Sequence, residues 1–319
     1  MSRAADLAYA AGWRVVRTLP RAVTAPMFNA GADYVTWRGG TGVRRLADNL
    51  RRVVGPQMSA PEFDALVRRA MRSYLRYYLE AFRLPAQSAE QNRAGFRLAR
   101  GHLLGEDVAA GRGAVVALPH AGNWDAAGAW VAAMGWPIVT VAERLRPESL
   151  YRRFLAFREG LGMEIVPLTG GDRAVRAILE ERLRQGYVVP ILGDRDLGRR
   201  GVEVDFFGAR TTMPPGPALL ALSTGAPLYT VDMWFEKDAP VGAMHGPLDL
   251  PGRDAGPIGV RVRLVTQMIA DSFARGIAEH PADWHMLQRF WPDAAPGARP
   301  DAAPGAGLDG RPAAAPGPG

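Results

Sequence analysis

His120 is the residue whose neighbours suggest chemistry. It stands in the segment Pro119-His-Ala-Gly-Asn-Trp-Asp125, with a carboxylate five residues after the imidazole. An imidazole can take the proton of a hydroxyl, and a carboxylate on its other nitrogen would fix the tautomer and favour the imidazolium that forms. On one continuous helix Asp125 would point elsewhere, but across a strand-turn-helix corner it can fold back to the ring. Gly122 leaves the backbone room for a ligand. Five histidines among 32 acidic residues in 319 positions give about 0.5 chance matches to His-x4-Asp/Glu, so the spacing needs support from context. A second charged corner, Gly193-Asp-Arg-Asp-Leu197, follows another apolar run and is of the same kind. Its Arg195 has the reach for a thioester oxygen or a phosphate, or for a local pair with Asp194 or Asp196.

Other chemistries find less. The chain has no Cys, which removes a thiol nucleophile, a disulfide framework and a thiolate metal site together. No G-x-S-x-G elbow, Walker A loop or H-E-x-x-H pair occurs. A Gly305, Gly307, Gly310 pattern of dinucleotide type lies in Pro/Ala/Gly-rich sequence with no strand before it. His102, His120, His245, His280 and His285 include no pair three or four apart, so no metal site is expected.

The elements that must position these corners follow from hydrophobic patterning. From residue 113 onward short apolar runs alternate with helical stretches. Strands are expected at 114–118, 137–141, 164–167, 187–192 and 227–235, and helices at 124–134, 149–161, 173–184 and 217–223. The runs are apolar throughout, as in strands covered on both faces, which predicts an α/β fold with a mostly parallel central sheet surrounded by helices. His120 and Asp194 then both sit at the C-terminal edge of that sheet, where ligand sites gather. Residues 6–19 and 61–82 pattern as amphipathic helices and 258–279 as a long one. The expected division is a domain at 1–292, with a helical, membrane-proximal part at 1–100 and the α/β core at 101–292. A disordered tail is expected at 293–319, where Asp-Ala-Ala-Pro-Gly sequence cannot bury enough apolar surface to fold.

Charge narrows the partners. The chain carries +7 with a pI near 10.2, and Lys237 is its one lysine among 39 basic residues. A basic face favours anionic lipid headgroups or a polyphosphate co-substrate; nucleic acid is suggested by pI alone and is not the expected partner. Residues 1–20 hold Arg3, Arg14 and Arg17 and so read as neither signal peptide nor membrane span. The expectation is a peripheral protein at the cytoplasmic face of the cell membrane.

Taken together these residues resemble the bacterial lysophospholipid-type acyltransferases with a His-x4-Asp motif. The branch is that of the lipid A late acyltransferases and, within it, the actinobacterial acyltransferases of phosphatidylinositol mannosides. The resemblance spans residues 6–291 and rests on Ala10-Ala-Gly-Trp-Arg14, Gly31-Ala-Asp-Tyr34, the His120 segment, Asp194-Arg-Asp-Leu197 and Gly201-Val-Glu-Val-Asp-Phe-Phe-Gly208. It implies transfer of a long acyl chain, typically palmitoyl from its CoA thioester, to the 6-hydroxyl of a mannose on an anionic glycolipid, with no permanently bound cofactor and no metal. By position it makes His120 the base and Asp125 its partner, and assigns further functional positions to Glu143 and Arg158. The family's Glu in the Glu-Arg-Asp-Leu loop falls on Asp194, one methylene shorter. Backbone amides near Gly122 or a nearby Arg are the expected oxyanion donors. Lipid A or glycerolipid acylation, and a non-catalytic lipid-binding protein, are the alternatives.

Overall fold

Helices come first. α1 (Arg21–Arg38) ends at Gly39, whose φ of +62° is the left-handed geometry that stops a helix. It is followed by α2 (Thr41–Val54) and α3 (Ala60–Ala81). Pro61 sits in the first turn of α3, and the Ser59 N–H donates to the Glu62 carboxylate at 3.1 Å, a reciprocal cap that sets where the helix starts. These helices close over Ala32, Leu46, Leu50, Leu66 and Ala70; full burial of each leucine contributes about 1.5–3 kcal/mol. In the computed structural model the described residues are 16–143, 148–169, 173–196, 198 and 201–292. The expected helix at 6–19 lies outside them except for its last four positions. The expected tail at 293–319 lies outside them entirely, as does Leu197.

After α4 (Ala89–Ala94), β1 (Arg97–Ala99) and α5 (His102–Ala109), the chain enters the alternation that the apolar runs predict. It continues through β2 (Ala114–Leu118), α6 (Trp124–Ala133), β3 (Val139–Ala142), α7 (Glu148–Glu159), β4 (Glu164–Pro167), α8 (Val175–Arg184) and β5 (Val188–Leu192). Then come β6 (Val202–Phe206), β7 (Ala209–Met213), α9 (Gly216–Thr224), β8 (Leu228–Phe235), β9 (Pro240–His245) and α10 (Ile258–Glu279). The main sheet has the order β1-β9-β8-β2-β5. β2 lies parallel to β5 and to β8, β1 lies parallel to β9, and only the β8–β9 pair is antiparallel. The β3–β4 pair continues the β5 edge through a parallel bridge from Ile138 to Val188. The fold is therefore α/β with a mostly parallel sheet.

β2 is buried along its whole length. Its side chains alternate between two cores. Val115 and Ala117 face α9 and α10 through Ala218, Ala221, Val265 and Phe273. Ala114, Val116 and Leu118 face Tyr77, Ala126 and Ala129 on the opposite side. β9 and the β6–β7 hairpin are not among the expected strands. In the hairpin every other residue is exposed, and it turns on Phe207 and Gly208, both with positive φ, a two-residue turn that matches strand twist.

One irregular segment ties these parts together. Residues 283–291 cross from the sheet edge to the helices and the hairpin. His285 donates its N–H to the His120 carbonyl at 2.8 Å, and Gly122 donates to the Asp283 carbonyl at 3.0 Å. Asn49 of α2 donates to the carbonyls of Met286 and Gln288, both at 2.8 Å, and Thr211 of β7 donates to Phe290. Replacing Asn49 with Ala leaves both carbonyls without their donor, an expected cost of about 2 kcal/mol. Thermal unfolding should show the midpoint lower by roughly 4 °C; an unchanged midpoint would mean that this tether does not hold the segment.

Candidate active site

β2 and β5 pair in register, Leu118 opposite Leu192. Two residues beyond each strand end, at the same sheet edge, stand His120 and Asp194. Register thus brings together two residues 74 apart in the chain. The Asp194 Oδ1 lies 2.6 Å from His120 Nδ1, and its Oδ2 accepts the backbone N–H of His120 at 2.9 Å and the indole N–H of Trp284 at 3.1 Å. The Asp194 side chain has 0% exposure and that of His120 20%. Burial alone would raise the Asp194 carboxyl, but the charge and hydrogen bonds of His120 and the Trp284 donor outweigh it and hold the group below the usual carboxylate range. A buried carboxylate only accepts, so Nδ1 carries a proton toward Asp194 and Nε2 is the ring nitrogen left for the cleft, the orientation in which an imidazole can serve as a general base.

The turn that aims the ring is local. After Pro119 the chain passes through Gly122, whose φ is +56° and where a Cβ would come within 2.9 Å of the Met233 carbonyl carbon and the Trp234 nitrogen. Only glycine fits there. Asn123 then caps α6, its side chain accepting the Ala126 N–H at 3.0 Å.

Asp125 does not fold back to the imidazole. As the second residue of α6 it is directed toward α3 and α7, where it accepts Arg158 Nε at 2.7 Å, Arg158 Nη2 at 3.3 Å and the Tyr77 hydroxyl at 2.7 Å. The carboxylate on His120 is Asp194, because the flank of the ring carrying Nδ1 faces the neighbouring strand. Burial would lower Arg158, yet the charge and hydrogen bonds of Asp125 raise it and keep it cationic; burial, then the Asp125 charge, pushes Tyr77 well up, so it stays a neutral donor. The Arg158 guanidinium is thus held by a buried carboxylate.

Glu143 follows β3 at the same edge, and its Oε2 lies 3.6 Å from Arg195 Nη1. Arg195 therefore pairs across the cleft and not with Asp194 or Asp196. The amides of 120, 121 and 122 donate to Asp194, Pro119 and Asp283, so these three are engaged. Cationic groups that line the cleft are Arg158 and Arg195.

His120, Glu143, Arg158 and Arg195 open on one cleft of about 320 Å³. Asp125 lines its inner extension, and Asp194 closes the floor behind the ring. Patterning misses Tyr77, Trp124 and His285, which also line the cleft. Tyr77 reads as part of an aromatic stripe in a core helix, and only the histidine in Trp284-His-Met-Leu287 carries a signal.

Beyond the cleft is a nearly apolar cavity inside the sheet-α6 core, lined by Phe96, Val116, Leu118, Trp130, Ile138 and Met244 among others. It shares Leu118, Trp124, Gly128, Ile138 and Pro190 with the inner extension.

Residues 1–292 match the family described as bacterial lipid A biosynthesis acyltransferase. A phosphatidylinositol mannoside acyltransferase of Mycolicibacterium smegmatis (strain ATCC 700084 / mc(2)155) is 49% identical over 289 residues, covering 90% of this chain and 91% of that protein. One of the same name from Mycobacterium tuberculosis (strain ATCC 25618 / H37Rv) is 47% identical over 291 residues, covering 90% and 89%.

A carboxyl held low in the folded chain stabilises it above its unfolded value near 4. That contribution is lost as pH falls through the depressed value. Asp194→Asn should therefore lower the unfolding midpoint at pH 7, and the gap from the parent chain should close on acidification. A gap independent of pH would show that the carboxylate charge is not what the site stabilises.

Proposed function

Since this chain belongs to the bacterial lipid A biosynthesis acyltransferase family and is an acyltransferase, we propose that it moves a long acyl chain, palmitoyl, from its CoA thioester to the 6-hydroxyl of a mannose on a phosphatidylinositol mannoside. The names of its mycobacterial relatives support the acceptor. The observation that carries the mechanism is the 2.6 Å contact between His120 Nδ1 and Asp194, which leaves Nε2 toward the cleft. His120 takes the proton of the acceptor hydroxyl on Nε2 as that oxygen attacks the thioester carbonyl, and Asp194 stabilises the imidazolium. The carbon–sulfur bond then breaks, and the imidazolium returns the proton to the departing thiolate, giving an ester and free CoA. Arg158 or Arg195 answers the charge that develops on the carbonyl oxygen. Asp125 holds Arg158 in place, so its part is to position a cation and not to orient the base. The acyl chain enters along the apolar lining beyond the cleft, where its methylenes gain by leaving water, and the cavity there, about 50 Å³, widens as it does so.

The product is delivered to a membrane. Among the described residues no helix is long and apolar enough to cross one. α1 instead exposes Val23, Met27, Tyr34 and Trp37, the last at 78%. Their spacing of four, seven and three residues puts them on one helix face. Such a face, with Arg38, Arg44 and Arg45 close by in sequence, suits peripheral docking on anionic lipid at the cytoplasmic face of the cell membrane.

His120→Ala should lower acyl transfer by about 10³-fold or more, read as CoA release that depends on phosphatidylinositol mannoside. Transfer within tenfold of the parent would remove His120 as the base. Mass spectrometry of products from mixed acyl-CoAs and mixed acceptors, lipid A precursors and lysophospholipids included, reads donor and acceptor together. The paired change Met27→Glu and Trp37→Glu should weaken sedimentation with anionic vesicles by about tenfold and leave the rate on detergent-dispersed substrate intact; undiminished sedimentation would place the docking face elsewhere.

A further inference from the structure

Most polar groups on the cleft are already engaged. Asp125 takes Arg158 and Tyr77, Arg195 faces Glu143, and the Tyr74 and Tyr78 hydroxyls meet each other at 3.0 Å. Two buried ring nitrogens are not engaged. The Trp124 indole Nε1 and the His285 Nδ1 have no hydrogen-bond partner. Both residues line the cleft together with His120. The indole ring stands edge-on to the His120 ring at 5.5 Å between centroids and 6.1 Å from the His285 ring.

The polarity of the two nitrogens follows from their neighbours. An indole Nε1 only donates. Ser73 gives its one proton to the Asp283 carboxylate, so the 2.9 Å contact between Ser73 and His285 Nε2 requires a proton on Nε2. Burial, with the nearby His120, pushes His285 down to about 3, so the ring is neutral and Nδ1 is a bare acceptor. Both nitrogens stand behind the cleft wall with almost no surface of their own, one an unfilled donor and one an unfilled acceptor, and each forgoes a hydrogen bond unless a ligand that displaces the wall supplies it.

A thioester carbonyl would fill only the donor, and an ammonium only the acceptor. A hydroxyl fills both at a single atom. Resting on the acyl transfer proposed above, we propose that Trp124 and His285 bind a second, non-reacting hydroxyl of the acceptor, next to the one that His120 deprotonates. The pair selects a polyhydroxylated acceptor and turns the attacking oxygen toward His120. An acceptor with an isolated hydroxyl leaves both nitrogens unpaired, and that penalty is the source of discrimination.

The test uses the full-length protein, palmitoyl-CoA and a series of mannoside acceptors that each lack one non-reacting hydroxyl. With the parent protein, removal of one particular hydroxyl should raise the acceptor KM about tenfold or more, while the KM for palmitoyl-CoA stays put. Trp124→Phe, which keeps an aromatic face on Tyr77, and His285→Gln, whose amide reaches Ser73 from the Nε2 position, should each raise the acceptor KM similarly and lose most of the response to that deoxy acceptor. If no deoxy acceptor is discriminated, or the variants respond to it as fully as the parent, the proposal is overturned. If the variants raise the KM for palmitoyl-CoA instead, the pair serves the pantetheine amides and the proposal is equally overturned. Should the parent protein acylate no mannoside and act on a lysophospholipid, the acyl acceptor proposed above falls first and this inference with it.

Discussion

An ionised carboxylate with no access to water is tolerated only where donors fill its lone pairs, and Asp194 is such a group. Its donors come from three places: the ring and the backbone of His120 after β2, and the indole of Trp284 in the last described segment. That requirement reaches far into the fold. It needs β2 and β5 in register, since a slip of one residue would carry Asp194 away from the ring. It needs the Gly122 turn, which sends the chain on into α6 once His120 is placed. It also needs residues 283–285 pinned across the same corner by backbone hydrogen bonds.

Next to this pair stands a second buried ionic group with the opposite task. Asp125, Arg158 and Tyr77 satisfy one another almost completely, and α3, α6 and α7 meet there. A buried ion pair adds little net stability against an apolar replacement but fixes geometry strongly. Here it fixes a guanidinium on the wall of the cleft beside a stacked Tyr77–Trp124 pair. The cleft is consequently built on two carboxylates, one behind the His120 ring and one behind the Arg158 guanidinium.

Local pattern made much of this legible. The apolar run at Ala114 to Leu118 announces a strand covered on both faces, and Pro119-His120 followed by Asn123 announces the corner. Glu143 and Asp194 could be placed at the same edge because each follows an apolar run. What pattern could not supply was which carboxylate faces which cation or ring. The partner of His120 depends on the register of two strands separated by 69 residues of chain between Leu118 and Val188, and register is not written in either strand. The hairpin at 202–213 went unread because its alternation leaves too few apolar residues in a row. The first helix went unread for a different reason: α1 carries Pro26 internally and exposes the large apolar residues that would normally mark a core face. His285 passed as ordinary because only the packed structure shows that one of its nitrogens has nothing to bond.

The segment at 283–291 also bears on how the protein is made. It is the last of the described parts to leave the ribosome, and Trp284 and His285 complete a site whose other members were synthesised much earlier. Contacts this distant in sequence form late, after the loops between them have been closed. A nascent chain can therefore lay down its sheet and its aromatic wall while the buried carboxylate still lacks one of its donors. The pair of His120 and Asp194 is then completed only once this segment has been made and docked, so a chain released before it would have the scaffold without that carboxylate's third donor.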